Sequence, residues 1–185
     1  LKVAWHGFRW SDLREPHNEH VIAIPKFLFV ADLHLAAGTG LSLVTMNLVL
    51  VAAVPLAFAL IAWRGFFARP RDALFYGALV FVAYCNGTQL MSLAWGFMIQ
   101  HWIAALSVVV TAYGFARLAA RESRCRPAWY ALAPASAAAA ILSVGSGVAC
   151  PLAALAVGVA LRLRWPTLLV FSGMALEGLA FQMLL

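Results

Sequence analysis

Polar side chains that could bind a ligand or act in catalysis are concentrated in one short segment, Pro16-His17-Asn18-Glu19-His20. Imidazole and carboxylate groups this close together can bind a divalent metal, act as general base and acid, or recognise an anionic or sugar headgroup. The spacing His-x-Glu-His matches no established metal-ligand motif, so the segment alone does not specify a metal site. A solvated surface loop held by caps and ion pairs is the ordinary alternative.

Other residues could complete a site around this segment. Asp12 precedes it and Lys26 follows it, which adds a second carboxylate and an amine. Farther along the chain, Trp95 lies within one apolar run, and Gln100 and His101 stand at the entry to the next. Polar side chains at membrane depth are costly and tend to line a cavity. The alternative for Trp95 is an aromatic residue at the level of the lipid headgroups.

The composition predicts an integral membrane protein. Hydrophobic residues make up 64% of the 185 residues and charged residues 11%, and the mean hydropathy is +0.89. Soluble domains have about a quarter charged residues, so this chain has too few charges to cover a water-facing surface. The chain is therefore expected to be embedded in a lipid bilayer.

The net charge of +6 does not predict a nucleic-acid partner. Nine of the thirteen basic residues lie in three short clusters between apolar runs, as is typical of cytoplasmic loops. They are Arg64, Arg69, Arg71, Arg117, Arg121, Arg124, Arg126, Arg162 and Arg164. The three cysteines have no paired spacing, which argues against a disulfide or zinc framework.

The apolar runs predict an all-α fold, a polytopic bundle of about five to six transmembrane spans. The runs are residues 41–63, 73–84, 90–99, 102–118, 128–144, 148–161 and 166–185. Before them, residues 1–40 are expected to form an external segment, and residues 41–185 the transmembrane domain. Within the external segment, Pro25 and Gly38 bound a run that predicts an amphipathic helix lying in the membrane interface.

The basic clusters also predict which side of the membrane each loop faces. Loops at 64–72, 117–127 and 162–165 carry the arginines and are expected in the cytoplasm. Loops at 86–101 and 145–151 carry no Lys or Arg. By parity, those two loops and residues 1–40 face the outside. An external N-terminal segment indicates that a further transmembrane helix precedes Leu1 in the whole protein.

Three segments, in this order, resemble a group of bacterial multispanning proteins related to the GT-C superfamily of lipid-linked-sugar glycosyltransferases. Residues 16–20, followed by an apolar helix, are similar to the HNEHR segment in the first external loop of that group. Residues 93–100 are similar to its LLWGFQIQ stretch, and residues 141–147 with Pro151 to its FSMANGLLxWP stretch. Val21 departs from the pattern, since the family usually has Arg there.

The resemblance implies transfer of a sugar from a polyprenyl-phosphate donor at the external, periplasmic face of a bacterial inner (plasma) membrane. In GT-C enzymes a catalytic Asp follows the first transmembrane helix, and here that motif would lie before Leu1. Asp12 is the best acidic candidate left in this chain for that Asp, and the resemblance implies that Asp12 or Glu19 would position or activate the acceptor hydroxyl. The implied substrate-binding residues are His17, His20, Lys26, Trp95, Gln100 and His101. No cofactor is implied, and a divalent metal stays an open possibility.

Two other classes of function remain open from the sequence. A membrane-embedded metal or haem protein would use His17, His20, His34 and His101, although no span carries two inward histidines. A transporter or non-catalytic scaffold would use Glu177, an acidic residue inside the last apolar run. The sequence shows no inverted repeat that would favour a transporter.

Overall fold

The computed structural model describes residues 9–13, 15, 22–65, 69–84, 98–119 and 126–183, and within these ranges the protein is all-α. The α-helices are α1 (Ala23–Leu35), α2 (Leu41–Gly65), α3 (Pro70–Tyr84), α4 (Ile99–Ala119), α5 (Arg126–Ile141), α6 (Ala149–Ala160) and α7 (Trp165–Met183). Two 3-10 turns accompany them, Trp10–Leu13 and Gly145–Val148. The all-α part of the prediction is thus confirmed for the described part of the chain.

Two of the described helices, α2 and α4, are long and apolar enough to cross a membrane. Their apolar stretches have mean hydropathies of 2.4 (Leu41–Arg64) and 1.4 (Ile99–Leu118). The other helices in the described residues are shorter or less apolar, and Gly145–Ala160 is a short apolar segment. The structure therefore provides two candidate spans, and the count of five to six stays a prediction.

The turn between α1 and α2 uses left-handed backbone conformations. Ala37, Gly38 and Gly40 have φ angles of 51°, 70° and 74°. At the end of α1, the backbone oxygen of Asp32 accepts hydrogen bonds from the N–H groups of Ala36 (2.8 Å) and Gly38 (3.1 Å). This closure satisfies a carbonyl that the helix end would otherwise leave unpaired. Gly38 thus ends the helix as its sequence position predicts.

Small residues bring α4 and α5 into close contact, and these two helices form the most extensive pair. A Cβ added to Gly114 would lie 2.8 Å from the Cβ of Ala133. Contacts move backward along α5 as they move forward along α4. Thr111 of α4 contacts Ser136, whereas Tyr113, which comes later in α4, packs edge-on against Trp129, which comes earlier in α5, with ring centroids 5.2 Å apart. Since α4 and α5 are antiparallel, the start of α4 lies beside the end of α5.

The start of α1 and the ends of α5 and α7 meet at one end of the bundle, which we call the α1 end. The Ile24 N–H donates to the Leu142 carbonyl at 3.0 Å, and the Gln182 amide donates to the Ile141 carbonyl at 3.3 Å. At the other end of α4, Phe115 packs against Phe171 with ring centroids 4.5 Å apart. Arg117 therefore lies far from the α1 end.

One predicted boundary is wrong in a way that affects the site. The run expected to start at residue 102 begins at Ile99, so α4 is longer at its start than predicted. Gln100 and His101 consequently lie in the first turn of α4 and not in the loop before it. The predicted run 90–99 lies almost wholly outside the described residues, apart from its last two positions.

Candidate functional site at the α1 end

Lys26 joins the N-terminal turn to α1. Its ammonium group donates to the backbone oxygen of Asp12 at 2.8 Å and also to that of Glu15. Side chains in the first turn of a helix point back toward its N-terminus, so Lys26 can reach the chain that precedes α1. Two of the residues that the sequence singled out, Asp12 and Lys26, are therefore brought together, although through a backbone oxygen.

The Asp12 carboxylate caps the short turn Trp10–Leu13. Its Oδ2 accepts the Arg9 N–H at 2.8 Å, and the Asp12 N–H donates back to the Arg9 oxygen at 2.9 Å. This reciprocal pair is a local turn-stabilising arrangement. One oxygen of the Asp12 carboxylate is thus committed to structure, which makes Asp12 less suited than a solvent-facing carboxylate to accept a substrate proton.

Gln100 and His101 occupy the first turn of α4 but differ in burial. Gln100 is buried, whereas His101 is exposed, and their Nε2 atoms lie 3.4 Å apart. Their buried neighbours Ile99 and Trp102 anchor the turn in the bundle. Because α4 also contacts α1, this polar pair belongs to the α1 end.

The remaining predicted site residues, His17, Glu19, His20 and Trp95, lie outside the described residues. Glu15 and Ile22 flank residues 16–21 in the chain, and both lie at the start of α1. Glu15 accepts a bond from Lys26, and the Ile22 oxygen accepts the Lys26 N–H at 3.1 Å.

The metal and haem alternatives gain no support from the described residues. Within those ranges, no three His, Cys, Asp or Glu side chains lie close enough together to hold a metal ion. His34 and His101 are both exposed, near the end of α1 and the start of α4 respectively. The other two histidines of the haem hypothesis, His17 and His20, fall outside the described ranges.

Asp32 has a structural role that the sequence analysis missed. Its side chain is buried, its Oδ2 accepts the Gly40 N–H at 2.9 Å, and its Oδ1 accepts the Ser42 hydroxyl. The carboxylate thereby caps the N-terminus of α2, where a negative charge also interacts favourably with the helix dipole. The bond from Ser42, followed by that from Gly40, holds the pKa of the Asp32 carboxyl below its usual 3.8, and desolvation opposes this shift.

Asp32→Asn is expected to remove a pH-dependent part of the stability. Because the folded-state pKa is lowered, the carboxylate stabilises the fold above the unfolded-state pKa of 3.8, and this contribution is lost as the pH falls through the folded-state pKa. The difference in melting temperature between wild type and Asp32→Asn in detergent should therefore be largest above pH 5 and vanish at the acid end. Ser42→Ala should move that loss to higher pH. A difference that stays constant from pH 3 to pH 8 would contradict the capping role.

A second polar cluster links three helices inside the bundle. The hydroxyls of Thr111 and Ser136 lie 2.7 Å apart, and the Cys150 thiol donates to Thr111 at 3.7 Å. Ser136 also donates to the Ala133 oxygen at 2.9 Å. Small polar side chains of this kind hold apolar helices together. The cluster joins α4, α5 and α6, and its members were not predicted because they lie far apart in the sequence.

The chain matches no protein-family model, no curated protein and no solved structure. The resemblance to GT-C glycosyltransferases therefore depends on the three sequence segments alone.

Proposed function

We propose that this chain belongs to a polytopic membrane protein that transfers a sugar from a polyprenyl-phosphate donor at one membrane surface. The observation that carries the proposal is the bond network of Lys26, which ties residues on both sides of segment 16–21 to the start of α1. The α1 end presents polar groups next to apolar helices, which suits a substrate with a charged head and a hydrocarbon tail.

The exposed surface of the helices supports placement in a membrane. Only 28% of the most apolar stretch of α2 and 44% of that of α4 are buried within the protein. A core helix of a soluble protein would instead be mostly buried. On α3 as well, large apolar side chains point outward: Leu74, Phe75, Leu79, Phe81 and Val82. Exposing so large an apolar surface to water is unfavourable, whereas contact with lipid carries no such cost.

The distribution of charge supports an outward-facing α1 end. Arg117 comes two residues after Phe115, near the end of α4. A Cβ added to Gly158, near the end of α6, would lie 2.8 Å from the Phe115 ring, so the ends of α4 and α6 lie side by side. Shortly after α6 the chain carries Arg162 and Arg164, so these arginines lie at the end of the bundle opposite α1. Under the positive-inside rule that end is cytoplasmic, and the α1 end faces the exterior.

The chemistry required is nucleophilic displacement at the anomeric carbon. The oxygen of an acceptor hydroxyl forms the new glycosidic bond, and the bond between the sugar and the phosphate breaks. The hydroxyl proton passes to a carboxylate, for which Glu19 is the main candidate. The polyprenyl phosphate leaves with the bonding electrons, and its charge is stabilised by nearby cationic and hydrogen-bonding groups such as Lys26, His17 and His20.

Sugar transfer by the full-length protein in membranes, assayed with labelled polyprenyl-phosphate sugars, tests the proposal. We expect Lys26→Met to lower the initial rate by about 10-fold to 100-fold, the usual value of a hydrogen bond to a charged group, and Lys26→Arg to retain part of it. Arg9→Met removes an equal charge from an exposed position and should leave the rate near that of wild type. Absence of transfer with every donor, or equal rates for Lys26→Met and Arg9→Met, would reject the proposal.

A further inference from the structure

Glu177 is an acidic residue in an unusual position. Among the described parts of α2–α7 the acidic residues are Asp72 and Glu177. Asp72 lies in the first turn of α3, with its carboxylate 3.5 Å from the Arg71 guanidinium. Glu177 lies well inside α7 and is exposed. Whereas Asp72 pairs with Arg71, Glu177 forms no ion pair with another residue in the described part of the protein.

The face of α7 around Glu177 is apolar and uncovered. Leu169, Val170 and Leu176 are exposed on this side of the helix. Gly173, one turn before Glu177, has open space where a Cβ would stand, with no atom within 4 Å. The opposite face of α7, with Phe171, Ala175 and Gly178, is the one packed in the bundle. A carboxylate and an open glycine thus share one outward-facing surface, which we call the Glu177 face.

On the proposed membrane placement, α7 also crosses the bilayer, and Glu177 then lies inside the spanning helix. It lies twelve residues after Trp165 and six before Met183, which corresponds to about 18 Å and about 9 Å of helix. The short Glu side chain cannot reach headgroups over such distances. Charged residues at this depth are rare, and they normally face another helix or a water-filled cavity.

We propose that the Glu177 face binds a transmembrane helix of a different polypeptide that carries Lys or Arg at the depth of Glu177. The proposal rests on the membrane placement given above, though not on the transferase activity. An apolar helix could approach closely over Gly173, as small residues allow between helices in lipid, and its cation would compensate the carboxylate.

A second copy of this chain fits the Glu177 face poorly. In a two-fold dimer the same surfaces meet, so one Glu177 would face another and two like charges would be brought together. In the described α2–α7 helices the basic residues lie in the first or last turn; Arg64 and Arg117, for example, are in the last turns of α2 and α4. A second copy therefore offers no cation at the required depth from these helices.

Site-specific photo-cross-linking in the native membrane tests this proposal. A photoreactive amino acid at Leu176 should form an adduct with one protein, whose cross-linked spanning segment, identified by mass spectrometry, contains Lys or Arg. Glu177→Leu should lower the yield at least tenfold, and exchanging the two charges, with Glu177→Lys and the partner's cation changed to Glu, should restore it. The matched probe at Leu79, on an exposed apolar face of α3, should give lipid adducts only.

Several results would overturn the proposal. These are adducts with lipid alone, with a second copy, within the same chain, or with a segment that lacks a basic residue, and a yield that Glu177→Leu leaves unchanged. Alkaline extraction tests the premise that the two proposals share. A protein released by alkali would refute the membrane placement on which both depend. If the protein stays in the membrane but transfers no sugar, the Leu176 adduct still decides the present inference.

Discussion

Gly147→Ala is expected to lower the free energy of unfolding by about 2–3 kcal/mol, the upper part of the range for overpacked interiors. A Cβ at this buried position would lie 1.9 Å from the oxygen and 2.3 Å from the carbonyl carbon of Ala140, and 2.8 Å from the nitrogen of Ile141. All three are backbone atoms of α5, so no side-chain rotation can relieve the overlap. The turn Gly145–Val148 would have to move away from the end of α5.

Gly173→Ala provides the matched control. A Cβ at Gly173 meets no atom within 4 Å, and alanine is favoured over glycine in a helix by about 1 kcal/mol. Thermal unfolding of the purified protein in detergent can be monitored by size-exclusion chromatography. The melting temperature should fall strongly for Gly147→Ala and should not fall for Gly173→Ala. Equal melting temperatures for the two variants would mean that the turn and α5 are not packed this closely.

Glu19→Gln is expected to reduce sugar transfer by about 10²-fold to 10⁴-fold, the usual contribution of a general base. The amide keeps the size of the side chain but cannot accept the proton of the acceptor hydroxyl. Asp12→Asn should reduce transfer by no more than about tenfold, because the Asp12 carboxylate already accepts the Arg9 N–H and an amide oxygen can keep that bond.

The two variants can be compared through initial rates at saturating donor in membranes that contain equal amounts of protein. His20→Ala adds a third measurement, since loss of an imidazole beside the departing phosphate should lower the rate without removing the base. A larger loss for Asp12→Asn than for Glu19→Gln would reverse the assignment of the base. Full activity of both Glu19→Gln and His20→Ala would remove segment 16–20 from the mechanism.

Local sequence signals predicted much of the helical framework. Pro25 and Gly38 bounded a run predicted at 26–37, and α1 forms over Ala23–Leu35. The Gly145-Ser146-Gly147 string predicted a break, and there the chain forms a 3-10 turn between α5 and α6. These signals work because Pro and Gly act on the backbone of their own turn, independently of what packs around it.

The polar contacts of the site could not be predicted in the same way. Asp32 caps α2 from eight and ten positions away, whereas capping residues are normally sought within three positions of a helix start. Lys26 bonds to the backbone oxygens of Asp12 and Glu15 before α1, a contact that the sequence did not predict. Such contacts depend on how the chain turns between elements, and residue types alone do not encode that path.

The alanine-rich surface of α5 has a consequence for how the protein is made. α5 contains eight alanines in sixteen residues, and Ala133, Ala137 and Ala140 have 0% exposure against their neighbours. Alanine contributes little to partitioning into lipid compared with Leu, Ile or Val. On the proposed membrane placement, a nascent α5 leaving the ribosome would be retained poorly by the bilayer on its own. It would be inserted together with α4, as a helical hairpin assembled during translation.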